Sequence, residues 1–361
     1  MGFTPDVAIP PGVSLQEELG CIGMTQTELA TRAGMSLRLI NEIISGKERI
    51  TFETALKLEK VLGIEAQFWI NLESIYQITR TRLKDEANLA SEVRYSLAYP
   101  YAEMAHLGWV KNTRNSKEKA LELQKYFGIA SLANIQLPMR VALRASPGKK
   151  LSIKSLAAWL RRGEILARDI PTDDFSANRF RTLLDDIRKS TAHLTADFVD
   201  DVKEKCASCG VAFLCVPHLK KTYVNGATWW LTPRKAIIQL SFRYRFDDIF
   251  WFSFFHEAGH ILLHGKKDVF IEAKGEGCRD IGGSEKEQEA NRFGQDLLIP
   301  PDKYQAFIEA SRFSEADIRR FAGEIGIAPG IVVGRVQHEK LVPFSAGNTL
   351  KKRFKFREEN R

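Results

Sequence analysis

The chain has 361 residues, with 53 lysines and arginines against 45 aspartates and glutamates, and a formal net charge of +8. Its apolar share of 44% is that of a water-soluble globular protein, and the length predicts two or three domains. The start lacks a charged segment followed by an apolar run, and no apolar stretch is long enough to cross a bilayer, so we expect no membrane partner. Five irregularly spaced cysteines predict a reducing, cytoplasmic location.

The first eighty residues predict a helix-turn-helix inside an all-helical domain of five helices. Thr25 has the residue type and position of an N-cap, and Glu28, three residues later, completes a capping box. Ala30 is small enough to let two helices cross closely, Gly34 ends the first of them, and Ser36 caps the second. Two helices joined by so short a turn are typical of DNA-binding domains.

The second helix of this pair, residues 37–45, predicts the surface that reads DNA. Its apolar side chains are needed in the core, which leaves Arg38 and Asn41 facing outward. Polar residues near the start of a recognition helix reach base edges in the major groove. Lys47, in the following turn, is suited to phosphate contact. The candidate DNA-binding residues are Thr25, Gln26, Ser36, Arg38, Asn41 and Lys47.

The partner expected for this domain is double-stranded operator DNA. The net charge of +8 agrees with a polyanionic partner. A domain of this type reads paired half-sites, so we expect a homodimer. The alternative is a helical bundle that binds no nucleic acid. The joint occurrence of a small crossing residue, a glycine at the turn and polar residues early in the second helix disfavours it.

Residues 81–200 predict further amphipathic helices and carry no motif with a chemical role. Apolar periodicity places helices near residues 121–127, ended by Gly128, and near residues 180–187. We interpret the segment as a helical connector. The alternatives are a sensor and a cover for the cleft of the catalytic site that is predicted further along the chain.

The strongest chemical signature is Phe255-His256-Glu257-Ala258-Gly259-His260, an H-E-x-x-H pattern inside an apolar run. A helix turns about 100° per residue, so His256 and His260 project from one face and can occupy two corners of a tetrahedral zinc site. Glu257 then stands beside the metal-bound water as the general base. The alternative is a core helix with two incidental histidines, although three of the seven histidines lie within nine positions.

A catalytic zinc site needs a third protein ligand and an open fourth position. We predict Glu289, which adjoins the apolar stripe of a helix that Pro300-Pro301 ends. Glu285, one turn earlier, is the reserve candidate. His264 is the rival, although it lies about 80° around its helix from His256, a poor direction for sharing one ion.

These residues predict a zinc-dependent endopeptidase of the gluzincin type with one zinc ion per chain. Glu257 takes a proton from the zinc-bound water, whose pKa the metal lowers, and passes it to the leaving amine. Residues 235–242 alternate as a half-buried strand, and an edge strand beside the zinc helix can hold an extended peptide. The oxyanion partner stays open between His264, Arg243 and Tyr244.

The segment from Pro11 to about Arg80 resembles the HigA-type, lambda-repressor-like (Xre) antitoxin domain. The matching residues are Pro11-Gly12, Gln26, Glu28-Leu29-Ala30, Gly34, Ile50-Thr51, Ala55, Leu62-Gly63, Phe68-Trp69 and Leu72. The resemblance implies an antitoxin-like regulator that binds DNA.

The segment from about residue 206 to residue 304 resembles the ImmA/IrrE metallopeptidases. The matching residues are Gly210-Val211, Pro217, Gly226-Ala227, Leu240-Ser241, Phe250-Trp251-Phe252, the zinc motif, Glu289-Ala290-Asn291-Arg292-Phe293 and Leu297-Leu298-Ile299-Pro300. Gly294 stands where this family often has alanine. The resemblance implies zinc bound by the two histidines of the motif and Glu289, catalysis by Glu257, and cleavage of DNA-binding repressors in stress, phage or mobile-element control.

Together these observations predict a mainly helical chain with an α+β C-terminal domain. The predicted domains are residues 1–80, which bind DNA; 81–200, the connector or sensor; 201–340, a zincin-like peptidase with a short sheet; and 341–361, a basic tail.

Three functions agree with the sequence. The first is an antitoxin-like DNA-binding regulator whose zinc endopeptidase cuts a regulatory protein, which is a repressor, a toxin partner or the chain itself. The second is an antitoxin-like repressor whose zinc domain is a non-catalytic sensor or partner-binding module. The third is a peptidase whose N-terminal domain only docks protein. The presence of Glu257 beside the histidines favours the first over the second.

Overall fold

The structure, a computed structural model, describes residues 7–87, 89–135, 151–193, 197–241, 243, 246–266, 268–273, 285–310 and 313–354. The chain divides into two units, Met1–Glu92 and Val93–Arg361. The predicted boundary at residue 80 falls inside a helix. Most of the predicted connector, from residue 93 onward, belongs to the same unit as the sheet.

The first unit is helical. Helix α1 spans Pro11–Ile22, α2 Gln26–Ala33, α3 Leu37–Ile44, α4 Phe52–Leu62 and α5 Ala66–Ala87, and α6, Leu89–Ser96, contains the unit boundary. Thr25 and Ser36 cap α2 and α3, and each accepts a 3.1 Å bond from the backbone N–H three residues on. Gly34 between them has φ +60°, a left-handed conformation that favours glycine. The predicted five-helix domain with its helix-turn-helix is confirmed.

The packing of the first unit depends on a close crossing of α1 and α3. A Cβ on Gly12 would stand 2.1 Å from the carbonyl oxygen of Ile43, so only glycine lets the two backbones meet there. The core that surrounds this crossing consists of Leu15, Leu19, Leu29, Ala30, Ala33, Ile40, Ile43, Ile50, Ala55, Leu58 and Trp69. Helix α3 therefore turns its apolar face inward and leaves Arg38 and Asn41 exposed, as predicted.

The second unit combines helices with one sheet. Its helices are α7 Tyr101–His106, α8 Ser116–Phe127, α9 Ile153–Asp169, α10 Ala177–Ser190, α11 Phe198–Ala207, α12 Asp247–Leu263, α13 Glu285–Leu298, α14 Pro301–Ala310, α15 Glu315–Ile325 and α16 Pro329–His338, with 3₁₀ turns at Leu132–Asn134 and Asn348–Leu350. Its strands are β1 Val211–Val216, β2 Val224–Thr232, β3 Lys235–Ser241 and β4 Phe270–Ala273. None of the described helices is both long and apolar enough to cross a membrane.

The sheet has the strand order β1-β3-β2-β4. Strands β1 and β3 are parallel, and β2 pairs antiparallel with both β3 and β4. In this register Ile238 of β3 lies between Phe213 of β1 and Thr228 of β2. The prediction of a half-buried strand at 235–242 that could serve as a peptide-binding edge is therefore wrong. Residues 236–241 are all buried, and β3 has a neighbour on each side.

Both faces of the sheet are covered. Along β1, Val211 and Phe213 belong to a core formed with helices α10–α16, whereas Ala212 and Leu214 belong to a core formed with α7, α8 and α9. This alternation follows from the two-residue period of a strand. The helices predicted as a connector are thus structural layers on the two faces of the sheet.

The predicted basic tail, residues 341–361, is packed as far as the structure describes it. Leu350 and Phe354 are 5% and 7% exposed, and both belong to the core shared with α12. Residues 355–361 lie outside the described part of the chain. Residues 341–354 are therefore part of the folded second unit.

Asp247 and Asp248 form a buried acidic pair at the start of α12. Oδ1 of Asp247 accepts the backbone N–H groups of Asp248 at 3.0 Å and of Lys352 at 3.1 Å. Oδ2 of Asp248 lies 2.6 Å from Lys351 Nζ. Burial and the neighbouring Asp248 carboxylate raise the pKa of Asp247 to about 6, against the opposing effect of the backbone hydrogen bonds.

We expect Asp247→Asn to flatten the pH dependence of stability between about pH 4 and pH 7. A carboxyl group with a higher pKa in the folded than in the unfolded chain stabilises the fold below its unfolded pKa, and this contribution is lost as the pH rises through the folded pKa of about 6. The shift corresponds to about 3 kcal/mol. Urea unfolding across this range measures the effect. Asp186→Asn, at an exposed aspartate, is the control, and a wild-type slope in Asp247→Asn would contradict the prediction.

Candidate metal centre and nucleic-acid surface

The two histidines of the H-E-x-x-H pattern meet on one face of α12. This helix is buried along most of its length, since its apolar residues pack against the sheet and against α13 and α16. His256 and His260 are each 1% exposed, and their Nε2 atoms lie 3.1 Å apart. The spacing of four residues therefore places the two histidines on one helix face, as predicted, and the Nε2 atom of each imidazole is directed to one point.

The third group at this point is Glu287 of α13. Its Oε2 lies 3.3 Å from Nε2 of His256 and 3.4 Å from Nε2 of His260, and the residue is 4% exposed. His256, His260 and Glu287 form a cluster of buried side chains whose ligand atoms all lie within 4.8 Å of one another.

Helix α13 comes this close to α12 because small residues line the contact. A Cβ on Gly259 would lie 3.3 Å from Ala290 Cα, and a Cβ on Gly294 would lie 3.1 Å from the backbone nitrogen of His256. The buried residues of α13 are Glu287, Ala290, Gly294 and Leu298, with helical spacings of three, four and four. Glu287 thus lies on the stripe that faces α12.

Contacts at the first turn of α13 fix the rotation of this helix about its own axis. Lys286 Nζ lies 2.5 Å from Asp268 Oδ2, and His264 Nε2 lies 2.9 Å from the Lys286 carbonyl oxygen. The Phe270 ring of β4 stacks on His260, with ring centroids 3.9 Å apart and planes at 12°. The helix start, the end of α12 and β4 therefore position the cluster together.

The prediction of Glu289 as the third ligand is corrected by this geometry. Its side chain is 54% exposed, and its Oε2 lies 3.7 Å from Nδ1 of His264. Two residues correspond to about 200° of helix rotation, so Glu289 faces away from the point to which Glu287 is directed. Glu285, the reserve candidate, is exposed, and His264, the rival, contacts the backbone of α13. The signal that would have identified Glu287 is its spacing to the small residues Ala290 and Gly294 rather than to the larger apolar ones.

The cluster fits a tetrahedral zinc ion in geometry and charge. Zinc–ligand bonds of about 2.0–2.1 Å set neighbouring donors about 3.3–3.4 Å apart, close to the observed separations of 3.1, 3.3 and 3.4 Å. Burial lowers the pKa of His260 to about 4, which leaves the ring neutral and able to coordinate. Burial opposes ionisation of Glu287, but hydrogen bonds from the two histidines outweigh it and lower its pKa to about 2. This is a candidate His/Glu metal site.

Glu257 lies at the interface between α12 and strand β2. It is fully buried, and Thr228 Oγ1 of β2 lies 3.4 Å from its carbonyl oxygen. A Cβ on Gly226 would stand 2.6 Å from Glu257 Oε1 and 3.0 Å from its Cγ. Glycine at position 226 therefore leaves the space that the carboxylate occupies, a role that the sequence reasoning did not assign.

The three candidates for the oxyanion partner have different outcomes. The guanidinium of Arg243 lies over the Tyr223 ring, 4.8 Å from its centroid, and His264 contacts the Lys286 carbonyl group. Tyr244 lies outside the described residues. The oxyanion assignment stays a prediction.

The predicted nucleic-acid surface surrounds the start of α3. Thr25, Ser36, Asn41 and Lys47 are exposed, Gln26 is half-buried, and the Arg38 side chain is 85% exposed. Nε of Arg38 lies 2.8 Å from a carboxylate oxygen of Glu42 one turn on, and Nε2 of Gln26 donates a 2.7 Å bond to Gln16. The hydroxyls of Thr25 and Ser36 accept the capping bonds, so the surface retains Arg38, Asn41 and Lys47 as its most accessible donors.

Comparison with known proteins accounts for both regions. Residues 22–69 match the family model described as helix-turn-helix, and residues 247–335 match that of the IrrE N-terminal-like domain. Virulence-associated protein I of Dichelobacter nodosus is 39% identical over 72 residues, which are 20% of this chain and 67% of that protein. The chain therefore belongs to the helix-turn-helix family and carries an IrrE N-terminal-like domain.

Two further similarities concern the helix-turn-helix part. The HTH-type transcriptional regulator YddM of Escherichia coli K12 is 29% identical over 68 residues, 19% of this chain and 72% of that protein. The structure of an addiction module antidote protein of the HigA family from Coxiella burnetii is 33% identical, covering 23% of this chain and 92% of that one, with a TM-score of 0.22. Both similarities fall in the helix-turn-helix part of the chain, and α12 and α13 both lie in the IrrE N-terminal-like domain.

We expect Glu287→Gln to lose metal and Glu289→Gln to keep it. The two substitutions remove the same charge from the same helix, and only Glu287 has an oxygen within 3.4 Å of both imidazoles. Zinc per chain, measured by mass spectrometry after zinc loading and dialysis, should be near one in the wild type and in Glu289→Gln. In Glu287→Gln the affinity should fall at least about tenfold.

The same measurement on His260→Ala provides the positive control for metal loss. Retention of zinc by Glu287→Gln together with its loss from Glu289→Gln would overturn the correction made above.

Proposed function

We propose that this chain is a DNA-binding regulator whose second unit is a zinc-dependent endopeptidase acting on a regulatory protein. The observation that carries the proposal is the convergence of His256, His260 and Glu287 at 3.1–3.4 Å, with Glu257 fully buried on the same helix. A structural zinc site is closed by four protein ligands, whereas three ligands with an adjacent carboxylate are typical of hydrolytic sites.

The chemistry of such a site can be assigned to the residues of this chain. Zinc, when bound by His256, His260 and Glu287, supplies a water of lowered pKa and polarises the carbonyl group of the peptide. Glu257 accepts the proton of the attacking water and delivers it to the nitrogen of the leaving amine. Gly226 keeps the space around its carboxylate free of a side chain, so that the group can serve in both steps.

The peptide substrate is proposed to lie along β4. This strand is at the end of the described sheet, and its Phe270 stacks on His260, so β4 lies beside the metal cluster. An extended peptide can add to such an edge by backbone hydrogen bonds, which hold its main chain in register without specifying its sequence. Strand β3, the edge expected from the sequence, is enclosed and cannot take this role.

The first unit is proposed to direct the protein to an operator as a homodimer. Arg38, Asn41 and Lys47 lie exposed at the start and end of α3, where a recognition helix meets bases and phosphates. The similarity to an HTH-type transcriptional regulator supports this reading. The substrate is then a repressor, a toxin partner or the chain itself.

The alternative function is an antitoxin-like repressor in which the metal domain senses a ligand or binds a partner without catalysis. The burial of Glu257 against a glycine favours catalysis, because a buried carboxylate carries a desolvation cost that a non-catalytic site has no need to retain.

We expect Glu257→Gln to retain zinc and to lose peptide cleavage by about a hundredfold or more, because the amide cannot accept the proton. The assay is the mass-spectrometric detection of new termini in a proteome-derived peptide library incubated with the zinc-loaded full chain. Glu289→Gln is the matched control, with normal cleavage expected. Undiminished cleavage by Glu257→Gln would remove this residue from the mechanism, and no cleavage by the wild type would favour the sensor function.

We expect Arg38→Ala and Asn41→Ala each to weaken operator binding by about 5- to 150-fold, the range of a direct base contact. The probe is a duplex selected by the wild-type protein from a random pool, and binding is measured by gel shift at fixed salt. Lys57→Ala, which removes an exposed charge paired with Glu53 on α4, is the control. Lys47→Ala should reduce the slope of log affinity against log salt concentration by about 1, the contribution of one phosphate contact. Wild-type affinity in the Arg38→Ala/Asn41→Ala double variant would overturn the recognition-helix assignment.

A further inference from the structure

The positive charge of this chain is concentrated in one layer of the second unit. The first unit, residues 1–92, has nine lysines and arginines against thirteen aspartates and glutamates, so the unit with the helix-turn-helix is net negative. Residues 93–170, which include α7, α8 and α9, have fourteen against five, and residues 171–361 have thirty against twenty-seven. The net charge of +8 therefore comes from the layer that covers the face of the sheet opposite α12.

Helix α8 presents basic side chains on its outward side. Lys117 and Lys125 are eight residues apart, which places them on one side of the helix about 12 Å apart along its axis. Arg114 lies just before the helix, and all three residues are exposed. Leu123 and Tyr126, on the opposite side of α8, belong to the core beneath the layer. The packing of α8 therefore directs this row of positive charge to solvent.

The acidic side chains of the layer are largely occupied by other cations. Three of them form ion pairs within the second unit, namely Glu118–Lys111, Glu164–Arg161 and Glu103–Lys220. Within the part of the chain that the structure describes, no carboxylate pairs with Arg114, Lys117 or Lys125. Their charges are therefore available to an external anion.

Aromatic rings of the underlying core hold further cations at the surface of the layer. The cation–ring pairs are Lys154–Tyr99, Lys119–Tyr101 and Arg162–Trp109, at 5.1, 5.5 and 5.9 Å from the ring centroids. The Tyr99 ring is 5.3 Å from that of Phe127 at the end of α8, so Lys154 belongs to the same surface as the α8 row. The carbonyl group of the exposed Lys221 accepts the backbone N–H of Ser152 at 2.9 Å, at the start of α9. A cation held in this way loses less rotamer freedom when it binds.

Double-stranded DNA is the polyanion that the proposed function already assigns to this chain. Lysines and arginines that neutralise phosphates release counterions, and this release supplies essentially all of the sequence-independent affinity for DNA. The net negative first unit provides little of it, although Arg38 and Asn41 are suited to base contacts. Because both units belong to one chain, binding of an operator by the first holds the second at a high local concentration of the same duplex.

We propose that the outer surface of α8 and the start of α9 binds the phosphates of the DNA that flanks the operator, without reading its sequence. This basic surface consists of Arg114, Lys117, Lys125, Lys154 and Lys221. The proposal rests on the operator binding that the proposed function assigns to the first unit. The first unit then selects the sequence, and the second adds affinity. The basic surface and α12 lie on opposite faces of the sheet, so bound DNA leaves the candidate metal centre uncovered.

The test is the salt dependence of DNA binding by the full chain. Fluorescence anisotropy measures the affinity for the selected operator duplex, extended on both sides by unrelated DNA, at several salt concentrations. Arg114→Ala/Lys117→Ala/Lys125→Ala should reduce the slope of log affinity against log salt concentration by about 2–3, since each lost phosphate contact contributes about 0.9. At physiological salt its affinity should fall about 10- to 100-fold, by the same factor for the operator and for an unrelated duplex.

A second triple variant controls for the loss of net charge. Arg181→Ala/Lys189→Ala/Lys303→Ala removes the same residue types from exposed positions on α10 and α14, which cover the other face of the sheet. It should retain the wild-type slope, and both variants should unfold at the wild-type temperature because all six positions are exposed. An equal loss of slope in the two variants would overturn the basic surface.

Arg38→Ala/Asn41→Ala separates failure of the basic surface from failure of operator binding. We expect this double variant to bind the operator and an unrelated duplex alike, still with a steep salt dependence. If the wild type shows no sequence preference but the first triple variant loses slope, the surface stands and operator recognition fails. If the wild type prefers the operator and that variant keeps its slope, the operator function stands and the surface fails.

Two other polyanions are tested with the same proteins. Single-stranded RNA and phosphatidylserine vesicles replace the duplex under the same conditions. We expect Arg114→Ala/Lys117→Ala/Lys125→Ala to weaken duplex binding whatever its effect on these probes. Loss of RNA or vesicle binding with unchanged duplex binding would assign the surface to another partner and overturn the proposal.

Discussion

The close approach of α12 and α13 is the constraint on which the candidate metal centre depends. Gly259, Ala290 and Gly294 let the two backbones come together, and the Phe293 ring packs over Gly259, where a Cβ would lie 3.0 Å from it. Only at this separation does Glu287, three residues before Ala290, reach both imidazoles. Larger residues at the contact would widen the helix spacing and move the carboxylate out of ligand distance. An alanine at position 294 would place its Cβ 3.1 Å from the backbone nitrogen of His256, so glycine suits this close crossing.

Burial and the hydrogen bonds within the cluster together determine its charge state. An isolated carboxylate would be costly to ionise in such an interior, but Glu287 has the two histidines as hydrogen-bond partners and its pKa falls to about 2. The same burial keeps His260 neutral, with a pKa of about 4. A neutral imidazole and an ionised carboxylate are the forms that coordinate a metal. The crossing of the helices therefore brings the three ligand atoms to one point.

Local patterns in the sequence correctly predicted the features that are determined by residues close together along one helix. The caps at Thr25 and Ser36 and the shared face of His256 and His260 all follow from short spacings, and the structure has them as expected. The choice between Glu287 and Glu289 depends instead on which side of α13 meets another helix. The large apolar residues suggested a neighbouring side of α13, because its buried stripe consists of Glu287, Ala290, Gly294 and Leu298. Strand β2 has a bulge at Asn225, where its pairing with β4 shifts by one residue. This bulge depends on the partner strand, so the sequence of β2 alone does not predict it.

The layer built from the predicted connector is part of the same mechanical unit as the site. Nε2 of the buried Gln239 on β3 donates a 2.9 Å bond to the carbonyl group of Trp159 on α9, and a Cβ on Gly163 of α9 would overlap the Gln239 amide at 1.6 Å. Helix α9 is thereby fixed to β3, which pairs with β2, the strand that carries Gly226 and faces Glu257. A fragment that begins at residue 201 would expose the apolar face covered by α7, α8 and α9, so the unit that carries the candidate metal centre has to include them. Their contribution to the site is therefore positional, since they hold the strand against which α12, the helix with the two histidines, packs.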